Sequence, residues 1–121
     1  MAKVLIIDDS PTEMQLLTNI MEKNGYEVIT AENGESGVSV AKKTRPDVIL
    51  MDVVMPGMNG FQATRQLSKD AKTAHIPVVI ITTKDQETDR IWGMRQGAKD
   101  FLTKPVQENK LLTTVRGLLD F

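Results

Sequence analysis

The sequence predicts an α/β fold: a doubly wound, five-stranded parallel sheet covered by helices on both faces, a three-layer sandwich. Three observations lead there. Short apolar runs rich in β-branched residues recur at Val4–Ile7, Val48–Met51 and Pro77–Ile81, and their continuous apolar character marks strands buried on both faces. Helix-length patterns separate them, and strict alternation of strand and helix implies a parallel sheet with crossover helices, nearly always right-handed. The chain of 121 residues is long enough for one core and too short for a second, so residues 1–121 are expected to form a single domain.

Each element has its own signal. Asp8-Asp9 ends the first strand, and Ser10-Pro11-Thr12-Glu13 reads as a capping box with proline at the first helical position. Met14, Leu17, Ile20 and Met21 stripe the helix that follows, and Asn24-Gly25 stops it. Tyr26 to Thr30 is less uniformly apolar and is expected as an edge strand. Gly34 to Lys43 is a second helix, closed by Arg45-Pro46. The strand Val48–Met51 ends at Asp52, and Met55-Pro56-Gly57-Met58-Asn59-Gly60 supplies the residues tight turns need. A third helix spans about Phe61 to Ser68. The fourth strand opens on Pro77, where a missing donor is tolerated, and ends at Thr82-Thr83. Helix four covers Gln86 to Gln96 and stops at Gly97; Lys99 to Thr103 is strand five. After Lys104-Pro105 comes a last helix carrying Leu111, Leu112, Val115, Leu118 and Leu119.

Composition narrows the function. The chain is 40% hydrophobic and 26% charged, with a formal net charge of −1, which carries no electrostatic footprint for DNA or a membrane surface. With no cysteine, disulfide and thiol chemistry are excluded. Val4–Ile7 is too short for a signal-peptide core, and no other run approaches spanning length. The expectation is a cytoplasmic domain with no membrane insertion.

In such sheets ligands bind beyond the carboxyl ends of the strands, where the strand order reverses. Those ends carry Asp8 and Asp9, Asp52, Thr82 and Lys104. Polar and ionisable groups thus follow directly on apolar runs at four places. Each pair of carboxylates at ~4 Å costs about 4 kcal/mol at an effective dielectric near 20, so a cation is needed. Oxygen ligands without histidine or cysteine favour Mg²⁺, Ca²⁺ or Mn²⁺, and Mg²⁺ is the usual partner of phosphate. A metal, the Lys104 ammonium and the Thr82 hydroxyl are parts suited to stabilising a phosphoryl group in transfer. Asp52 is then the natural nucleophile, because a carboxylate attacking phosphorus makes an acyl phosphate. Asp8 and Asp9 are better suited to holding the metal.

Ile7-Asp8-Asp9-Ser10, Met51-Asp52 with Met55-Pro56-Gly57-Met58-Asn59-Gly60, Thr82-Thr83 and Lys104-Pro105 resemble the CheY-like receiver domain of two-component response regulators over essentially the whole chain. The resemblance implies the strand order 2-1-3-4-5 and Asp52 as phosphoacceptor. It implies Mg²⁺ held by Asp9, Asp52 and the backbone carbonyl of Val54, with Asp8 assisting through water. It implies that Lys104 pairs with the phosphoryl group and that the Lys104–Pro105 bond is cis. It also implies a switch, in which Thr82 is drawn toward the phosphoryl oxygens and Phe101 turns inward. Tyrosine is also common at that place; phenylalanine has no hydroxyl to satisfy, so inward burial costs less. Arg90, Met94 and Thr103 are the implied partner contacts on the face of helix four, strand five and helix five. The phosphodonor implied is a CheA-like histidine kinase, and the chain itself is a phosphoacceptor with slow autodephosphorylation, not an enzyme.

Ser10-Pro11-Thr12-Glu13-Met14, the stretch Asn59 to Leu67 and the stretch Thr82 to Asp89 further resemble stand-alone regulators of the chemosensory systems governing type IV pili and twitching motility. With no effector segment after Phe121, output is expected through protein contact or phosphate draining. A phosphate sink for another regulator and a flagellar chemotaxis regulator stay open as alternatives.

Other classes fit less well. A phosphatase passing through an aspartyl phosphate wants an acid two residues after the nucleophile, where Val54 stands. A flavodoxin-like carrier binds cofactor phosphate after strand one, where Asp8-Asp9 would repel it. No GxxxxGK[ST] run supports nucleotide hydrolysis. A degenerate receiver, acting only as a binding module, is opposed by the presence of every marker. Met55, Met58 and the other methionines read as packing, His75 as a surface residue, Trp92 as partly buried packing with an exposed rim at a partner face as the alternative, and Lys42-Lys43 as a cationic helix end. Lys84 resembles a position that tunes the access of water to an acyl phosphate.

Overall fold

The computed structural model describes residues 1–119. In chain order the elements are β1 (Lys3–Ile7), α1 (Pro11–Lys23), β2 (Glu27–Ala31), α2 (Gly34–Thr44), β3 (Val48–Met51), α3 (Gly60–Lys69), β4 (Val78–Thr82), α4 (Glu87–Arg95), β5 (Asp100–Thr103) and α5 (Glu108–Leu119). The strands form one parallel sheet in the order β2-β1-β3-β4-β5, as the resemblance implies, and β2 is at an edge.

Alternate residues of the central strands serve two cores. Leu5, Ile7, Ile49, Met51, Val78 and Ile80 pack with Val38 and Ala41 of α2 and Phe61, Ala63 and Leu67 of α3. Val4, Ile6, Val48, Leu50, Val79 and Ile81 pack with Leu17, Ile20 and Met21 of α1 and Leu111, Leu112 and Val115 of α5. Side chains of a strand point alternately to opposite faces, so a run with both faces covered must be apolar throughout. This explains why β1, β3 and β4 carry no polar residue before their last position, the half-buried start at Lys3 apart.

The ends of elements differ from expectation for local reasons. Tyr26 precedes β2 and gives its N–H to Met21 O at the close of α1. Pro77 precedes β4, contributing only its carbonyl, which accepts from Ile49 N; a proline has no donor for the ladder. The capping box expected at α1 forms only in half. Ser10 Oγ accepts from Glu13 N at 3.3 Å, but the N–H of Ser10 donates to Asp8 Oδ1 at 2.9 Å, leaving nothing for the Glu13 side chain to accept. A complete box instead starts α3, where Asn59 Oδ1 accepts from Gln62 N and Gln62 Oε1 accepts from Asn59 N, both at 2.9 Å. Trp92, expected as partly buried packing, is 49% exposed. α4 buries only Gly93, and a neighbour one residue along a helix points about 100° away from the buried face.

No helix among the described residues is long and apolar enough to cross a membrane.

Candidate functional site

The strand order places β1 between β2 and β3, and the chain leaves β1 toward α1 on one face and β3 toward α3 on the other. A crevice opens between two such divergent loops. Ladder bonds fix what enters it. Asp8 N donates to Ala31 O at 3.1 Å and Asp52 N to Ile7 O at 2.9 Å, so both aspartates extend their strands by one residue. Lys104 N donates to Thr82 O at 2.8 Å, which holds the end of β5 against that of β4. The Lys104–Pro105 bond is cis.

Asp8, Asp9 and Asp52 each present an oxygen in a cluster no wider than 4.8 Å. Asp8 and Asp52 are buried, whereas Asp9 is exposed. Lys104 Nζ lies 3.0 Å from Asp8 Oδ2 and 3.7 Å from Asp52 Oδ2. A loop glycine makes the arrangement possible: a Cβ on Gly60 would collide with the carbonyl oxygen of Asp52, so the loop can fold back under the aspartate only with glycine there.

Burial is the main force on Asp52, and it raises the carboxyl pKa above the ordinary 3.8. The nearby charge of Lys104 opposes it, Asp8 and Asp9 reinforce it, and the N–H of Val53, donated to Oδ1 at 2.8 Å, opposes it again. A buried carboxylate therefore sits in a field that one ammonium does not neutralise. The donor set is all hard oxygen, with no nitrogen or sulfur ligand. That chemistry fits a small divalent cation such as Mg²⁺, which Asp8, Asp9 and Asp52 could hold.

Thr82 is fully buried, and its Oγ1 accepts from Lys84 N at 3.3 Å. The Lys84 ammonium is 3.9 Å from Asp89 Oδ1, pointing toward the first turn of α4. Phe101 is buried in the core beneath α4. A Cβ on Gly93 would stand 3.2 Å from Phe101 Cδ2 and 2.9 Å from Ile80 Cδ1, so that glycine is the floor on which the ring lies. Val54 turns its side chain outward, 57% exposed, while Val53 and Met55 on either side are buried. Arg90, Met94 and Thr103 are exposed on α4 and β5. His75 is exposed, and Met55 is buried packing.

Sequence reasoning missed two acidic residues. Glu35 Oε1 accepts from Met58 N at 2.8 Å and so ties α2 to the loop that follows Asp52. Glu13 Oε2 lies 3.9 Å from Lys104 Nζ, at the site itself. Neither has a local signature, since both contacts join segments far apart in the chain.

Residues 4–116 match the response regulator receiver domain. The chain belongs to that family. It is 64% identical to protein PilH of Pseudomonas aeruginosa over 119 residues, covering 98% of both chains. It is 45% identical to the response regulator PleD of Caulobacter vibrioides, of whose length it spans 26%. Among solved structures, the chemotaxis protein CheY4 of Vibrio cholerae superposes with a TM-score of 0.92 at 35% identity, over 98% of this chain and 99% of that one. The receiver domain of the sensor histidine kinase PA1611 from P. aeruginosa does so with a TM-score of 0.92 at 25% identity, over 99% and 98%. That receiver has a magnesium ion coordinated in its active-site cleft. The receiver fold and a place in phosphorelay signalling follow for this chain.

Proposed function

We propose that the chain is a stand-alone response regulator in which Asp52 accepts a phosphoryl group from a CheA-like histidine kinase, with Mg²⁺ in the crevice. The observation that carries this is the convergence of Asp8, Asp9 and Asp52 within 4.8 Å beside the buried ammonium of Lys104. Asp8, Asp9 and Asp52, with the Val54 carbonyl by family resemblance, would hold the metal. Bound there, Mg²⁺ supplies positive charge against the phosphoryl oxygens.

The protein's own groups do the rest. An Asp52 oxygen forms the bond to phosphorus as the phosphorus–nitrogen bond of the donor's phosphohistidine breaks and the electron pair leaves on the imidazole. Lys104 turns from its carboxylates to the phosphoryl oxygens, and the Thr82 hydroxyl, two residues beyond Ile80 on β4, supplies a donor to them. Val53 N–H holds Asp52 in place through Oδ1. The chain is a substrate that promotes its own phosphorylation and slow hydrolysis, not an enzyme acting on others. The altered state is read by a protein partner at α4, β5 and α5 through Arg90, Met94 and Thr103, which must bind the phosphorylated form better in order to sense it.

The 64% identity to PilH supports a cytoplasmic role in the chemosensory pathway of type IV pilus twitching motility. Incubation with acetyl phosphate and Mg²⁺ followed by intact mass tests the chemistry. A phosphate-sized gain, absent in Asp52→Asn, is the expected result. No gain at any Mg²⁺ concentration points to a binding module that has lost phosphotransfer. Phosphotransfer profiling against the histidine kinases of the source cell tests the pathway.

A further inference from the structure

Among the described residues, Glu13 is the acidic group within 4 Å of the Lys104 ammonium that the phosphoacceptor reading leaves without a role. Its sequence position assigns it to a capping box, where its carboxylate would accept from Ser10 N. Asp8 Oδ1 already holds that donor at 2.9 Å. The helix keeps the other half of its cap, through Ser10 Oγ and the backbone of Glu13. The Glu13 carboxylate is thereby released from the cap, and it reaches Lys104 instead, with Oε2 3.9 Å from Nζ.

Lys104 is consequently divided among three carboxylates. Its Nζ is 3.0 Å from Asp8, 3.7 Å from Asp52 and 3.9 Å from Glu13. The lysine side chain is 8% exposed and that of Glu13 is 34% exposed, so Glu13 sits at the mouth of the crevice and keeps part of its hydration. A phosphoryl group on Asp52 would bring new anionic oxygens to the same ammonium. Of the three carboxylates, Glu13 is the most distant and the best hydrated, so its contact is the easiest to give up.

We propose that Glu13 is a positioning residue that draws Lys104 toward α1 and competes with phosphoryl oxygens for it, setting how tightly the site holds a phosphoryl group. This rests on Asp52 being the phosphoacceptor. Removing the Glu13 charge acts twice in one direction: it frees the ammonium, and it takes a negative charge away from the path of an incoming anion. The backbone cap of α1 is unaffected by the change, because only the Glu13 N–H takes part in it.

Beryllofluoride with saturating Mg²⁺, followed by fluorine NMR, measures affinity for a phosphoryl-like anion. Glu13→Gln is expected to bind about fivefold more tightly than the unaltered protein, a gain that shrinks as salt is raised because the group is partly solvated. Glu13→Asp keeps the charge and is expected to bind within about twofold of the unaltered protein. A merely structural role would lower thermal stability and give an affinity change indifferent to salt. Unaltered protein that binds beryllofluoride, with Glu13→Gln equal or weaker, overturns the role of Glu13 alone. Failure of the unaltered protein to bind overturns the phosphoacceptor reading and this one with it.

Discussion

Asp52→Asn is expected to make the metal-free protein more stable at neutral pH. The carboxylates of Asp8, Asp9 and Asp52 meet within 4.8 Å, where two like charges repel by about 3.5 kcal/mol at an effective dielectric near 20. Asp9 is exposed, so its share falls to about 1 kcal/mol in water-like surroundings. Lys104 at 3.7 Å from Asp52 returns about 4.5 kcal/mol at the lower dielectric. The charge–charge contributions nearly cancel, and what is left is the burial of an ionised group only 8% exposed. Asparagine removes that cost, so a stabilisation of about 0.5–2 kcal/mol, the size usual for a single stabilising substitution, is expected as a rise in Tm. Asparagine keeps an oxygen for the Val53 N–H. The pH dependence has a definite sign. Because the folded pKa is raised above 3.8, the folded protein retains a proton that the unfolded chain has released, and the contribution of Asp52 to stability falls as pH rises through that window. Asparagine does not titrate there, so the gap between the two proteins opens above about pH 4 and then levels off. Thermal unfolding in a chelator across pH measures it. A variant equal to or less stable than the unaltered protein at neutral pH would show that the buried charge of Asp52 carries no net cost.

Adding Mg²⁺ at about a hundred times its Kd should raise the stability of the unaltered protein by about 2.7 kcal/mol, and that of Asp52→Asn by less, as read from Tm. Gly93→Ala places a methyl 3.2 Å from the Phe101 ring; the ring is expected to move outward, shown by its NMR shifts, while better helix propensity, about 1 kcal/mol, offsets much of the crowding. Phe101→Tyr adds a hydroxyl that must find a partner, so relaxation-dispersion NMR should show a smaller inward population than with phenylalanine. Equal populations would remove that role for the missing hydroxyl.

The two-sided burial of β1, β3 and β4 made the sheet legible, because runs such as Val78-Val79-Ile80-Ile81 tolerate no solvent-facing residue. The site was legible for the same reason: Asp8, Asp52, Thr82 and Lys104 stand where an apolar run stops, and a parallel sheet brings such stops to one edge. The capping box at Ser10–Glu13 shows where local reading ends. Its pattern is as good as that of Asn59–Gln62, which does form, but Asp8 competes for the same N–H and wins. The competition depends on how β1 ends, and the spacing of serine and glutamate carries no information about it. Trp92 shows the same limit: it is half-exposed, because α4 meets the sheet through Gly93 and not through its largest apolar side chain.

The same geometry bears on where a change at Asp52 is most cheaply expressed. Thr82 and Ile80 share β4, and the ladder pairs them with Thr103 and Phe101 on β5. Two residues of strand separate each pair, about 7 Å, so the site and the ring stand on one rigid ladder. The ladder itself has no slack, because every residue of β4 is buried and packed interiors do not deform gradually. α4 is held far less firmly. It buries a single residue completely, a glycine, and leaves Ile91, Trp92 and Met94 partly exposed. Moving it exposes little apolar surface, whereas α1 and α5 would each have to lift three buried side chains off the sheet. A bias arriving along β4 and β5 therefore has its least costly outlet in the Phe101 ring and the helix above it, and that outlet carries Arg90 and Met94, with Thr103 beside them on β5.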